Sequence, residues 1–235
     1  MKKVILFDLY DTVLKNISFD FSAGIHYLYN KFFSNVCSLE NMMDYANTFL
    51  PLYDKRKEEN VEICLIKDEI PLYFKKFGVD FPSSWEELDY EIMNQMQKVT
   101  LTETVRFTLN ELYEQNVMMY ILSNSIFTGY SARKLLNDFH ILHFFKKLYS
   151  SADYGIRKPS SKFYQIAIDG ILSDLPAFGV NDILYIGNDY ETDVLGASAV
   201  GLDVLWYNEK HLPNDKNINL YNIDNFKDIL ELVYM

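Results

Sequence analysis

The stretch VILFDLYDTVL, residues 4–14, decides the fold. Val4 to Phe7 form an apolar run too short for a typical helix and rich in branched and aromatic side chains. That combination predicts a buried strand. The run then meets two carboxylates three residues apart, Asp8 and Asp11, with Thr12 behind them. Acids at the end of a buried strand mark the point where a chain leaves a sheet.

Three later stretches repeat the pattern. VMMYIL (117–122) ends in Ser123, Asn124 and Ser125. DILYIG (182–187) ends in Asn188 and Asp189, and LDVLWY (202–207) is a further apolar run. Helical patterns separate them. Thr102 is placed to cap a helix with Val105, Leu109 and Leu112 on one face. Another follows Lys158–Pro159, with Phe163, Ile166 and Ala167 inward. A third spans about Glu191 to Ala199, and Gly201 is placed to end it. The last, after Asp224, carries Phe226, Ile229, Leu230 and Val233. Strand alternating with helix predicts an α/β fold, a Rossmann-like doubly wound parallel sheet. Ligands of such sheets bind at the carboxyl ends of the strands.

Residues 15 to about 100 break the alternation. Phe21, Ile25, Leu28 and Phe32 mark one amphipathic helix. Ser38 is placed to cap a second, which Pro51 stops or kinks. Ser84 with Glu87 reads as a capping box ahead of Leu88, Ile92 and Met96. No strand stands out. The expectation is an all-helical insert over 15–99, with the core made of 1–14 plus 100–235.

The chain has 235 residues, 49% of them apolar, and a formal net charge of −11. That is enough apolar material for a packed core. The acidic balance argues against a nucleic-acid or anionic-membrane partner, since both need a basic face. The short basic runs KKF (75–77) and FKKL (145–148) read as solvated helix edges. Cys37 and Cys64 lack paired spacing and read as reduced thiols. His26, His140, His143 and His211 show no metal spacing, and Trp85 and Trp206 read as packing residues. No apolar run reaches the length of a membrane span, and the first is broken at Asp8. A cytoplasmic protein is expected. Nothing in the chain sets an oligomeric state.

Four groups now stand out: Asp8-x-x-Asp11-Thr12, Ser123-Asn124, Arg157-Lys158-Pro159, and Gly187-Asn188-Asp189-x-x-x-Asp193 followed by Gly196-Ala197. Singly, each has a plainer reading as a turn, a loop or a helix start. In this order and spacing they resemble the haloacid dehalogenase-like hydrolase superfamily, in its helical-cap subfamily, over essentially the whole chain. Most members are phosphatases. The resemblance implies that Asp8 is the nucleophile and that Lys158 bridges it to the phosphate. It implies phosphate binding by Ser123, Asn124 and Lys158. It also implies Mg²⁺ held by Asp8, the Tyr10 carbonyl, Asn188, Asp189 and Asp193, and a helical cap that selects the substrate. Mg²⁺ prefers such an all-oxygen set.

Two departures matter. The family's second aspartate, which protonates the leaving group, is here Tyr10, a poor base with an ordinary pKa of about 10. Asp11 stands one place later, where the family often has glycine. It is either a relocated acid or a structural one that ties down the loop. Asn188 stands where the family's commonest fourth motif has aspartate, and the choice between Asn188 and Asp189 as ligand stays open. The expected function is a Mg²⁺-dependent phosphatase of a small phosphorylated metabolite, working through an aspartyl-phosphate. Two alternatives remain. One is a metal-independent 2-haloacid dehalogenase, a class that also has tyrosine in the first motif and Ser-Asn in the second. Arg56 is the candidate for its cap arginine. The other is a degenerate, non-catalytic binder of a phospho-ligand or protein.

Overall fold

The computed structural model describes residues 3–214 and 221–233. The extreme ends of the expected core, and residues 215–220, lie outside the described residues. The chain runs β1 (Val4–Phe7), β2 (Leu14–Phe19), α1 (Phe21–Leu28), α2 (Leu39–Asn47), α3 (Leu50–Glu59), α4 (Ile70–Phe77), α5 (Trp85–Met96), β3 (Gln97–Leu101), α6 (Val105–Glu114), β4 (Met118–Ser123), α7 (Gly129–Asp138), β5 (Phe145–Ser150), α8 (Ser151–Tyr154), α9 (Ser161–Asp174), β6 (Ile183–Gly187), α10 (Gly196–Ser198), β7 (Asp203–Tyr207), β8 (Tyr221–Ile223) and α11 (Ile229–Val233).

Six strands form one parallel sheet in the order β5-β4-β1-β6-β7-β8. The central β1 pairs with β4 from Val4↔Met118 to Phe7↔Ile121, and with β6 from Val4↔Ile183 to Phe7↔Ile186. Side chains alternate across it. Ile5, Phe7, Ile121 and Ile186 pack in one core with Leu109, Leu136 and Ile229 from α6, α7 and α11. Val4, Leu6, Leu122 and Tyr185 pack in the other with Phe163, Ala167 and Ile171 from α9. Both faces are covered, which is why the strands read as continuous apolar runs. The strand order reverses at β1, so the carboxyl ends of β1, β4 and β6 open on one crevice. This is the expected α/β Rossmann-like core.

The insert is not all helical. β2 and β3 form an antiparallel two-stranded ribbon, from Leu14↔Leu101 to Phe19↔Gln97, that carries the chain out of the sheet and back. Their alternation was masked because the ribbon is half exposed, with Ile17 and Phe19 both more than half exposed. In addition, α5 runs into β3 with no glycine or proline between them. FKKL is not a helix edge but the start of β5, an outer strand whose Lys146 and Lys147 face solvent. Charged side chains on an edge strand discourage edge-to-edge association.

Capping differs from expectation at three places. Ser38 caps α2 by accepting from Asn41 N–H at 3.2 Å. Pro51 does not stop that helix; it sits in the first turn of α3, where its missing N–H costs nothing. Ser84 precedes α5 without a side-chain bond, because Glu87 instead pairs with Lys134 and accepts from Tyr130 on α7. Thr102 accepts from Val105 N–H through its carbonyl, while Thr104 is the residue flanking α6. Among the described residues, no helix is long and apolar enough to cross a membrane.

Asp89 of α5 ties the insert to α7. Its Oδ2 accepts from Thr128 N–H at 3.0 Å and from the Thr128 and Ser131 hydroxyls, each at 2.6 Å. Burial raises the Asp89 pKa, and those bonds only partly offset it. Burial likewise raises Glu69, against bonds from Tyr53 and Tyr73. A carboxyl raised in the folded state contributes stability that is complete below its unfolded value and lost as pH rises through its folded value. The unfolded values are 3.8 and 4.5. The melting temperature in EDTA is therefore expected to fall as pH rises from 5 to 8, by about a few degrees. Asp89→Asn should flatten that slope. A wild-type melting temperature that rises over the same range would contradict it.

Candidate active site

Asp8 is the first residue beyond β1. Its N–H donates to Ile186 O at 2.8 Å, which fixes it against β6. The next turn is tight: Asp11 N–H donates to Leu14 O at 2.5 Å and Leu14 N–H to Leu9 O at 2.8 Å. Asp11 takes a left-handed φ of 63°. Aspartate tolerates that region, and glycine tolerates it better. The Asp11 carboxylate is engaged by Asn16, accepting from its N–H at 3.0 Å and its Nδ2 at 3.1 Å. It ties the loop to β2.

Lys158, 2% exposed, reaches the same point from the loop between α8 and α9. Its Nζ donates to Asp8 Oδ1 at 2.6 Å, to Asp193 Oδ1 at 2.7 Å and to Tyr185 Oη at 2.9 Å. Burial raises the Asp8 pKa to about 7, with Lys158 opposing and Asp193 reinforcing the rise. Burial alone would lower Lys158; the charges of Asp193 and Asp8 outweigh it and raise its pKa. Asp193 is held at both ends, because its Oδ2 accepts from Asp189 N–H at 3.0 Å. This approach needs Gly187: a Cβ there would lie 2.5 Å from Asp193 Cγ.

Asn188 joins Asp8, and Asp189 does not. The Thr12 hydroxyl lies 3.1 Å from Asp8 Oδ2 and 3.3 Å from Asn188 Oδ1, so the two side-chain oxygens converge. Asp189 is exposed and caps the turn Tyr190–Leu195, accepting from Thr192 N–H at 2.7 Å. Trp206 Nε1 donates to Asn188 O at 2.9 Å and fixes this segment from β7.

Ser123, at the end of β4, is 1% exposed and its Oγ has no hydrogen-bond partner. A buried hydroxyl without a protein partner is normally served by water, an ion or a ligand. Asn124 differs from the expected phosphate contact. Its Oδ1 accepts from Lys158 N–H at 2.7 Å, and its Nδ2 donates to Lys158 O at 3.0 Å. Both ends of the amide are engaged in holding the lysine loop.

Beside Tyr10 and Asn124–Ser125 opens a crevice of about 460 Å³, walled on the insert side by Phe21, Tyr53 and Arg56 and on the core side by Phe127 and Arg157. The insert is clasped to the core here. Arg157 N–H donates to Asn60 O at 3.1 Å, Glu62 N–H to Gly155 O at 3.0 Å, and Leu65 N–H to Ile126 O at 2.9 Å. His26 is exposed and lies outside the walls of this crevice. Sequence reasoning missed Tyr185, Glu62 and the outlook of Arg157. Tyr185 carried a signal, a polar tip on a buried strand beside the fourth motif. Glu62 carried none.

A family model for haloacid dehalogenase-like hydrolases matches residues 5–207. A curated relative, the pyrimidine 5'-nucleotidase PynA of Streptococcus pneumoniae, is 24% identical over 97% of this chain and 94% of its own. Among solved structures, a 2-haloacid dehalogenase of Pseudomonas syringae matches at a TM-score of 0.71 and 16% identity, covering 100% of this chain and 99% of that one. The magnesium-bound HAD-hydrolase YfnB of Bacillus subtilis matches at 0.61 and 20%, covering 99% of each chain. The strand order, the Asp8–Lys158–Asp193 linkage and a match spanning most of the chain agree, and this chain belongs to the haloacid dehalogenase-like hydrolase family.

Proposed function

We propose that the protein is a Mg²⁺-dependent phosphatase of a small phosphorylated metabolite, with Asp8 as the nucleophile. The observation that carries this reading is the buried Lys158 ammonium shared by Asp8 and Asp193, at the carboxyl ends of strands where β4 also presents the unpaired Ser123 hydroxyl. Asp8 attacks phosphorus, and the leaving oxygen departs on the opposite side, toward the crevice. Lys158 and Ser123 face the transferred group, where their donors meet its growing charge. Water then hydrolyses the aspartyl-phosphate and restores Asp8.

The donor set fits a hard dication. Asp8 and Asn188 supply converging oxygens, and the bonds of the first turn use the Leu9 and Leu14 carbonyls rather than that of Tyr10. Asp8, Tyr10 O and Asn188 Oδ1 would hold Mg²⁺, with Asp193 adding charge nearby. Among the described residues, no three His, Cys, Asp or Glu side chains cluster as a metal site, so water would complete the coordination. When bound, the ion would screen the charge of Asp8 from that of the phosphate. The helical insert would act as the cap that walls the substrate.

Neither candidate acid of the first motif is placed to protonate the leaving oxygen, and the Glu62 carboxylate in the crevice wall is engaged by Arg56. Asp11 is turned to Asn16, and burial drives the Tyr10 phenol well above its ordinary pKa, so it is free to offer a hydrogen bond but not to release its proton. Turnover is therefore expected to depend steeply on the leaving group. p-Nitrophenyl phosphate and acyl phosphates should exceed simple alkyl phosphates by about tenfold or more in kcat. Equal rates across that series would show that an acid is supplied after all.

The primary test is phosphate release from a panel of phosphomonoesters with and without Mg²⁺. No release above the Asp8→Asn variant would end the phosphatase reading. A second reading, 2-haloacid dehalogenation, is favoured by Tyr10 at the second acidic position. Halide release from 2-chloropropionate in EDTA would establish it.

A further inference from the structure

The crevice next to Asp8 collects unsatisfied donors. Among the described residues, the buried side-chain atoms without a hydrogen-bond partner include Tyr10 Oη, Arg56 Nε and Arg157 Nη1, and all three residues line this crevice. Each of these groups carries a hydrogen to give, and none is an acceptor only. The missing partner therefore presents acceptors.

The charges narrow it further. Arg56 is already paired with Glu62, whose side chain is 1% exposed and whose Oε2 also accepts from Ser151 Oγ at 2.8 Å. Arg56 is also stacked on Tyr53, its Cζ 5.2 Å from the ring centroid. That ion pair is neutral. Among the described residues Arg157 has no ion pair of its own, and the Glu62 carboxylate whose charge acts on it is already engaged by Arg56, which leaves the wall one positive charge in excess. Partly buried charges in folded proteins are normally paired. A single negative charge would balance this one, and the flat fork of a guanidinium matches a carboxylate on two points. Arg157 also adjoins Lys158 in the chain while facing the other compartment, the one that holds the leaving group.

We propose that this crevice is a carboxylate subsite: the substrate's leaving group carries a carboxylate that pairs with Arg157, beside the neutral Arg56–Glu62 couple. The substrate class is then a phosphorylated carboxylic acid, and Arg157 is the residue that selects it. The proposal rests on the phosphatase reading above for the other end of the substrate.

Matched pairs test it. With Mg²⁺ present, phosphoglycolate should exceed ethyl phosphate in kcat/KM by about tenfold or more. Arg157→Met should bring that ratio close to one, and Arg157→Lys should leave an intermediate ratio, since it keeps the charge and loses the fork. A wild-type ratio near one overturns the proposal. So does an Arg157→Met variant that folds and loses both substrates in equal proportion, because Arg157 would then serve the transferred phosphate. Uridine monophosphate is a third probe. If it exceeds phosphoglycolate and Arg157→Met erases that advantage, the partner is a neutral carbonyl and the proposal falls. Calorimetric binding of phosphonoacetate against ethylphosphonate to the wild-type protein gives a readout without turnover. Preference for phosphonoacetate with no hydrolysis of any ester would uphold the subsite while the phosphatase reading fails. No preference alongside active hydrolysis would do the reverse.

Discussion

Asp8→Asn will lose phosphatase turnover by about a thousandfold or more in kcat, since no other carboxylate can take its place in line with phosphorus. Asp11 is held by Asn16, Asp193 by Lys158 and Asp189 N–H, and Asp189 lies exposed at a helix cap. The folded protein should survive the change. Burial pushes Asp8 up to about 7, which means its charged form is already disfavoured in the native state. A neutral amide of the same shape removes that disadvantage while Lys158 keeps Asp193. The variant should melt no lower than wild type at pH 8. Phosphate release and a thermal melt on one preparation check both halves. Turnover within about tenfold of wild type would remove Asp8 from the mechanism.

Lys158→Met will cost stability as well as activity. Asp8 and Asp193 are 6% and 1% exposed, and the Lys158 ammonium contacts both carboxylates. Removing one member of a buried ionic set leaves its partners uncompensated, at about 3–5 kcal/mol. The loss should shrink below pH 7, as Asp8 takes up a proton. Adding Asp193→Asn to Lys158→Met should recover part of it, because the repulsion between the two acids then disappears. Urea unfolding at pH 5 and pH 8 measures this. Equal destabilisation at both values would mean that the lysine stem, packed beside Tyr185, matters more than its charge.

The core of the sheet was legible because four of its strands are buried on both faces and read as plain apolar runs. β5 and β8 were not, since edge strands carry exposed polar residues and lose the pattern. The β2–β3 ribbon hid for the same reason. In the site, the placement of Asp8 and Ser123 was legible from position at strand ends, and that of Lys158 and Asp193 from residue type and motif spacing. The outlook of Asp11 and Asn124 was not. Both are short polar side chains that bond backbone, Asp11 at nearby Asn16 and Asn124 at distant Lys158, and only the path of the chain tells which backbone. The pairing of Glu62 with Arg56 was invisible, because Arg56 lies in the last turn of α3 and Glu62 beyond its end, so no periodicity links them.

The antiparallel bridge between Val61 and Ile156, with the bonds around it, makes the loop bearing Lys158 a shared piece of two bodies. A swing of the helices away from the sheet must either unzip those peptide bonds first or drag the lysine with it. Were the proposed cap to open, the hold of Lys158 on Asp8 would loosen with it.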